Sequence, residues 1–408
     1  MTDNYFTISK CGVCHSDNLV DFLDLGEQPP ANSLIKKGDD SPKAIPLRLC
    51  MCQDCSLVQL REVVDPSYLF SQYVWVTGTS FTAKNYSLEF ARNLIEKSNK
   101  DKPFVVEVAS NDGTFLKPFK SVGASVLGID PAENIVSTAN ESGINTKCGF
   151  FNFKCAQEVK KEKGLCDIIF ARNVIPHVKE INSVIGGLSE LLSGTGIGAI
   201  EFHCSKVILD ELHYDSIYHE HLYYFSLKTI QVLLEKHGLW AHDLMPSPIS
   251  GGSWVIYFSK TQQNKSDDLK KAEHQEEIEK INQLASWQDF AKRTINHKEK
   301  LRSFLNSEKL PIAGYGASAR SSTMLNFLGV DERHIECIYD KNPLKQGLLT
   351  AGTDIPIKSL DYDCIKQRTT ILLLAWNFKD EIIKELRGMG FKGRFIIPLP
   401  FSVEIYES

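Results

Sequence analysis

The sequence predicts an α/β protein in three parts, a small cysteine-rich unit followed by two sheet-based units, and three observations predict it. Five of the eleven cysteines fall within the first 55 residues. Apolar runs of strand length then alternate with helical spacing from about residue 85 to 260, the order that builds a largely parallel sheet with right-handed crossovers. A second, shorter strand-turn-helix series starts near residue 309, after a charge-rich helical stretch. With 408 residues, 42% hydrophobic and 24% charged, the chain is too long for one ordinary domain and too balanced to be disordered. A net charge of −5 gives no general reason to bind a nucleic acid polymer. No apolar run nears the roughly 20 residues needed to cross a bilayer, and the start lacks a secretory pattern. A cytoplasmic protein without a membrane partner is expected, its oligomeric state left open with a monomer as the simplest case.

Residues 1–75 read as a zinc-binding domain. Cys11-x2-Cys14 and Cys52-x2-Cys55 form two knuckles, each able to turn two thiolates toward one tetrahedral ion, and four protein ligands leave no open position. The Zn2+ is therefore structural. Cys50 competes with Cys52 for the fourth place, and Cys52 has the better spacing. So short a loop-rich unit, with the turn-like G-E-Q-P-P-A-N, buries too little to hold itself together easily, so a staple helps. Its end, Y-L-F-S-Q-Y-V-W-V-T-G-T-S, places Tyr73 and Trp75 where a lid over the next unit would start.

Residues 76–262 read as a central Rossmann-like domain. In V-V-E-V-A-S-N-D-G-T-F-L, a buried strand carries Glu107 and runs into a loop of Ala109, Asn111, Asp112 and Gly113. The next strand ends in G-I-D-P-A-E-N, where Asp130 is placed to accept from both hydroxyls of a ribose, with Pro131 and Asn134 beside it. The dinucleotide pattern G-x-G-x-x-G is absent. Loop and acid together favour S-adenosylmethionine as the ligand over a plain core turn. Phe151 in G-F-F-N-F would wall the adenine, and Asn173 and His177 in A-R-N-V-I-P-H would lie at the methionine end. W-V-I-Y-F-S reads as one more strand, antiparallel at the edge. Residues 263–308 read as a connector of one or two amphipathic helices, its charge-rich face solvated.

The segment D-S-I-Y-H-E-H-L-Y-Y-F-S concentrates groups that move protons near neutral pH: Tyr218, Glu220 and His221. A helical form would put Tyr218 and His221 on one face, an extended form Tyr218 and Glu220. His219-x-His221 could instead bind a metal, without a convincing third ligand nearby. Residues 309–408 read as a smaller α/β domain opened by L-P-I-A-G-Y-G-A-S-A-R.

These residues, in this order over nearly the whole chain, resemble the sugar 3-C-methyltransferases of deoxysugar biosynthesis, which act on nucleotide-linked 4-keto-6-deoxysugars. The knuckles resemble that family's zinc domain, E-V-A-S-N-D-G its cofactor loop, Y-H-E-H its catalytic segment, and G-Y-G-A-S-A-R with D-K-N-P-L-K-Q-G its C-terminal domain. The resemblance implies a small α/β substrate-binding domain with a Rossmann-like plan, in which Gly314, Tyr315, Gly316, Ala317, Arg320 and Lys345 hold the nucleotide sugar. It implies His221 as general base with Tyr218 and Glu220 beside it, and Tyr73 reaching in from the N-terminal domain. Arg172 and the S-A-R-S-S-T segment depart from the family's usual residues. The alternative is methylation of a sugar oxygen or nitrogen, or of a carbon on a non-sugar metabolite. A different class, a zinc module binding protein or nucleic acid on a scaffold, lacks a basic stripe around the cysteines.

Overall fold

The structure, a computed structural model, describes residues 5–65, 69, 77–79, 81–249, 252–308 and 312–407. The N-terminal unit holds β1 (Tyr5–Thr7), β2 (Leu19–Gln28), β3 (Ile45–Cys52), β4 (Val58–Leu60) and β5 (Glu62–Val64). β1 pairs with β5, and β2, β3 and β4 form an antiparallel meander. Leu47, Leu49 and Met51 of β3 are buried with Leu23 and Leu25 of β2, in a core continuous with that of the other two units.

The central sheet is built from β6 (Phe104–Val108), β7 (Ser125–Asp130), β8 (Thr146–Cys148), β9 (Cys166–Arg172), β10 (Leu192–His203), β12 (Trp240–Ser247) and β13 (Ser253–Ser259), with β11 (Tyr223–Tyr224) set apart. Its order is β8-β7-β6-β9-β10-β13-β12. The first five run parallel, and β13 is antiparallel to both its neighbours. W-V-I-Y-F-S is thus antiparallel, as read from the sequence, but lies inside the sheet. β12 takes the edge because its buried and exposed residues mix as a strand covered on one side does.

Helices cover both faces, which is why β6 and β9 are almost continuously apolar. On one face the helix Phe81–Ser98 presents Tyr86, Phe90 and Leu94, one turn apart. The Phe90 ring lies 5.1 Å from Phe170 and 5.6 Å from Phe115, both edge-on. Cutting Phe90 back to Ala would cost about 3–5 kcal/mol.

The C-terminal sheet contains β14 (Ile312–Tyr315), β15 (Cys337–Tyr339), β16 (Ile357–Lys358), β17 (Thr370–Leu373), β18 (Arg394–Ile397) and β19 (Glu404–Tyr406) in the order β16-β15-β14-β17-β18-β19. All pairs are parallel except β18 with β19. The connector is two helices, Asp267–Ile278 and Leu284–Ser307. The second touches all three units. Its Trp287 ring lies 5.7 Å from Phe22, and His297 sits between the Tyr214 hydroxyl at 3.1 Å and the Pro398 carbonyl at 2.7 Å. Among the described residues, no helix is long and apolar enough to cross a membrane.

Candidate active site

The two knuckles fold as near copies. In each, the residue after the second cysteine has positive φ, His15 at 66° and Ser56 at 68°, and its N–H donates to the first cysteine's carbonyl at 3.0 and 2.9 Å. That turn aims both thiols of a knuckle the same way. The Sγ atoms of Cys11, Cys14, Cys52 and Cys55 all lie within 4.8 Å of one another. Cys11 and Cys55 are 3.6 Å apart, Cys14 and Cys52 3.5 Å. Four sulfurs about 2.3 Å from a tetrahedral zinc stand about 3.8 Å apart, so the donor set fits a closed structural zinc site. Cys50 is outside the cluster; burial pushes its thiol up to about 12, as for a protonated core residue.

The cofactor loop joins β6 to the helix Leu116–Ser121. Ala109, Asn111 and Gly113 take φ of 55°, 49° and 73°, and Asn173, just past β9, takes 49°. Positive φ in non-glycine residues costs energy, and here it gathers at the carboxyl ends of two adjacent strands, where ligands of open α/β sheets bind. Gly113 serves packing as well as conformation, because a Cβ there would meet Ile144 at 2.8 Å. Asp130 latches the loop: Oδ2 accepts from the Asn111 N–H at 2.9 Å and Oδ1 from the Ala132 N–H at 3.0 Å. Burial pushes its carboxyl up, opposed by these two donors. Thr77 donates its N–H to Asn111 Oδ1 at 2.8 Å. Tyr73 and Trp75 lie outside the described residues.

Glu107 is buried, and its Oε2 has no hydrogen-bond partner among the described residues. Desolvation drives its carboxyl well up; Arg172 opposes this, while Asp112, Asp130 and Glu201 add to it. Arg172 is itself bound, 2.6 Å from Glu201 and stacked 3.2 Å from the Phe115 ring centre. With Glu201 paired to Arg172, Asp112 and Asp130 remain beside the orphaned Glu107 carboxyl, and that surplus suits a cationic ligand such as a sulfonium with its ammonium group. Phe151 is buried, Asn134 is exposed, and Pro131 is partly exposed.

Y-H-E-H forms a tight turn, with the His221 N–H donating to the Tyr218 carbonyl at 2.8 Å. Tyr218 and His221 face each other, as the helical alternative predicted, although no helix forms. His221 Nδ1 is 2.8 Å from the Ser216 carbonyl, so Nδ1 carries the proton and Nε2 accepts from the Tyr218 hydroxyl at 2.7 Å. Burial holds His221 well below the usual histidine value, helped by its neighbours His177 and Arg320, and so keeps Nε2 a free base at neutral pH. His177 stands edge-on to His221, ring centres 4.7 Å apart, and its Nδ1 lies 2.8 Å from the Glu220 carbonyl. Burial lowers His177 to about 4.

The two middle residues turn the other way. His219 Nε2 lies 3.2 Å from the Ile45 carbonyl and 3.3 Å from that of Pro46, which turns it away from a metal site with His221. Glu220 Oε1 accepts from the Asn32 amide at 2.6 Å rather than facing His221. Burial pushes the Glu220 carboxyl up to about 6 against that hydrogen bond.

The C-terminal residues named from the resemblance are engaged within the protein. Gly314 and Gly316 permit close strand packing: Cβ atoms would meet Leu374 at 2.9 Å and Ala375 at 2.6 Å. Tyr315 is buried, with its hydroxyl 3.3 Å from Glu385. Ala317 donates its N–H to Asp340 at 2.8 Å, and Lys345 holds the Ala317 carbonyl at 2.7 Å. Arg320 grips Asp215 through two hydrogen bonds, 2.8 and 3.1 Å, and Trp376 adds a third at 2.8 Å. Sequence reasoning missed Asp215, Asn32 and Trp376. Asp215 opens the D-S-I-Y-H-E-H segment, but nothing local announces a partner 105 positions away.

A seven-stranded sheet of this order, a latched strand-end loop with an unpaired acid, and a neutral histidine held by a tyrosine define an S-adenosylmethionine-dependent methyltransferase with a structural zinc site. Three family models cover the chain: "Putative zinc binding domain" over residues 11–70, "Methyltransferase domain" over 82–243 and "C-methyltransferase C-terminal domain" over 248–400. C-methyltransferase NovU of Streptomyces niveus is 31% identical over 411 residues, covering 98% of this chain and 97% of its own. The chain belongs to the C-methyltransferase family. A ubiquinone biosynthesis O-methyltransferase of Bartonella tribocorum is 22% identical over 30% of this chain and 49% of its own. Magnesium protoporphyrin IX methyltransferase of Synechocystis PCC 6803 is 15% identical, TM-score 0.35, covering 47% of this chain and 87% of that one.

Proposed function

We propose that this C-methyltransferase adds its methyl group at C3 of a nucleotide-linked 4-keto-6-deoxysugar, in branched-chain sugar biosynthesis. The observation that carries the reading is His221, whose Nδ1 proton is tied to the Ser216 carbonyl while Nε2 is presented beside the Tyr218 hydroxyl. A hydrogen next to a ketone is acidic because its loss gives an enolate, and removing it needs a neutral base and a donor for the oxygen. With the Tyr218 hydroxyl turned from Nε2 to the C4 oxygen, or displaced from Nε2 while Tyr73 donates there, the freed Nε2 lone pair of His221 takes the C3 proton. When bound, S-adenosylmethionine supplies an electrophilic methyl group for the enolate carbon. Glu107, Ala109, Asn111, Asp112, Gly113, Asp130, Pro131, Asn134, Phe151, Asn173 and His177 form its site, with the orphaned Glu107 carboxylate as anchor for the positive end. The C-terminal unit, from about residue 309, contributes the nucleotide-binding side of the cleft.

The test is mass spectrometry of products from a panel of 4-keto and reduced nucleotide sugars. Methyl gain on carbon in a 4-keto member alone is expected. Methylation of a reduced sugar on oxygen or nitrogen would overturn the reading.

A further inference from the structure

The turn Tyr218–His221 divides its side chains between two tasks. Tyr218 and His221 bond to each other, whereas His219 and Glu220 are held by the N-terminal unit. The grip continues on both sides of the turn. Directly after it, β11 joins the N-terminal sheet beside β4, with Tyr223 opposite Gln59 and Tyr224 opposite Val58. The Leu60 N–H donates to the Leu222 carbonyl at 3.0 Å, and Leu222 donates to Pro176 at 2.7 Å. The four-stranded N-terminal sheet, order β11-β4-β3-β2, therefore includes two residues of the methyltransferase segment as its edge strand.

Within this frame Asn32 occupies a particular place. It belongs to P-P-A-N, directly after β2. Its amide reaches the carboxylate of Glu220, 188 positions later, at 2.6 Å. The backbone carbonyl of that same glutamate holds His177 Nδ1 at 2.8 Å, and His177 packs edge-on against the base. Glu220 thereby joins Asn32, through its side chain, to His177, through its carbonyl, and His177 walls the His221 ring. The far end of the segment is tied to the C-terminal unit, where Ile35 bridges Leu349. Asn32 thus stands where the three units meet.

We infer that Asn32 is a positioning residue for methyl transfer, acting through Glu220 to set the His177–His221 pair, and that Glu220 serves as its hydrogen-bond acceptor rather than as a proton carrier. The assignment rests on the reading of His221 as the base. Its central contact is a donor–acceptor pair and can be inverted. Asn32→Asp keeps the shape but trades the amide donor for a second carboxyl, so that the pair either shares one proton or repels; Asn32→Asp with Glu220→Gln restores one neutral donor and one acceptor in reversed order.

Two readouts test this on the full zinc-loaded chain. Long-range ¹H–¹⁵N spectra of the imidazole rings, without any acceptor sugar, report the tautomers of His177 and His221. Turnover and S-adenosylmethionine affinity are then measured with the panel member that the enzyme methylates. Asn32→Asp is expected to shift both rings' signals and lower kcat about 10–100-fold, as for a group that sets a catalytic base, with cofactor affinity and zinc content unchanged. The reversed pair should regain the spectra and most of kcat. Unchanged spectra in Asn32→Asp, or a kcat loss that the reversed pair fails to restore, would overturn the inference. Failure of the sugar reading would appear as absence of methylation in the unaltered enzyme, with the ring signals still responding to Asn32→Asp.

Discussion

The central and C-terminal sheets repeat one local device and differ in what surrounds it. Asp130 ends β7 and accepts from the Asn111 and Ala132 N–H groups at 2.9 and 3.0 Å. Asp340 follows β15 and accepts from the Ala317 and Asn342 N–H groups, both at 2.8 Å. In both, a strand-end acid holds the preceding loop and its own next turn. Four residues before the latched N–H, the central sheet has Glu107, buried with an unpartnered oxygen, and the C-terminal sheet has Ala313. Near Asp340, Lys345 supplies a cation at 3.8 Å. In both sheets the acid thus latches the loop before it. What marks the central site for a positively charged cofactor is charge left unbalanced.

The comparison can be broken in order of effect. Chemistry should reside on the central side: His221→Ala is expected to lower kcat by about 10²–10⁴-fold, with S-adenosylmethionine binding by calorimetry unchanged. Retained turnover would remove His221 from the base's role. The C-terminal side should instead hold the assembly. Arg320→Met leaves Asp215 buried with Trp376 as its remaining side-chain partner among the described residues, so denaturant unfolding should show a loss of about 3–5 kcal/mol, the cost of stranding a buried charge. Next come the two latches. Asp130→Ala frees two backbone donors of the cofactor loop and should weaken S-adenosylmethionine binding by about 10–100-fold, while Asp340→Ala should leave that affinity within about twofold. Equal losses would mean the two sheets share the cofactor.

The smallest effect is a pH dependence of stability. His177 and His219 fall from about 6.5 unfolded to about 4 folded. Between those values the unfolded chain binds more protons, so stability is lost as the pH falls, by about 1.4 kcal/mol per unit for each histidine. Glu220, raised from about 4.5 to about 6, acts oppositely and offsets one of them in its own window. Net destabilisation from pH 6.5 to 5 is expected in denaturant titrations, and His219→Gln should flatten it.

How much of this was legible in the sequence followed the range of each interaction. The zinc knuckles were readable because two residues between cysteines and one positive-φ residue after them decide the geometry locally. The alternation of apolar runs gave the parallel order, and W-V-I-Y-F-S was legible as an antiparallel strand but not its interior position, which depends on β12 pairing outside it. Gly113 and Gly316 stood out for close backbone approach, and the structure adds a packing need invisible in the sequence, since the spaces at their Cβ positions are occupied by Ile144 and Ala375. Y-H-E-H showed which groups gather but not that its middle pair turns toward Asn32 and the Ile45 carbonyl, since those partners lie 188 and 174 positions away. Arg172 stood out by its identity, and its place against Phe115 and Glu201 explains how a cation is kept in that wall.

The most direct test of the account is solvent-deuterium exchange at C3 of the accepted 4-keto nucleotide sugar, followed by NMR with S-adenosylhomocysteine in place of the methyl donor. The account predicts deuterium wash-in at C3 by the unaltered enzyme and none by His221→Ala. Methylation of that sugar by an enzyme that exchanges no C3 hydrogen, or exchange undiminished in His221→Ala, would contradict it.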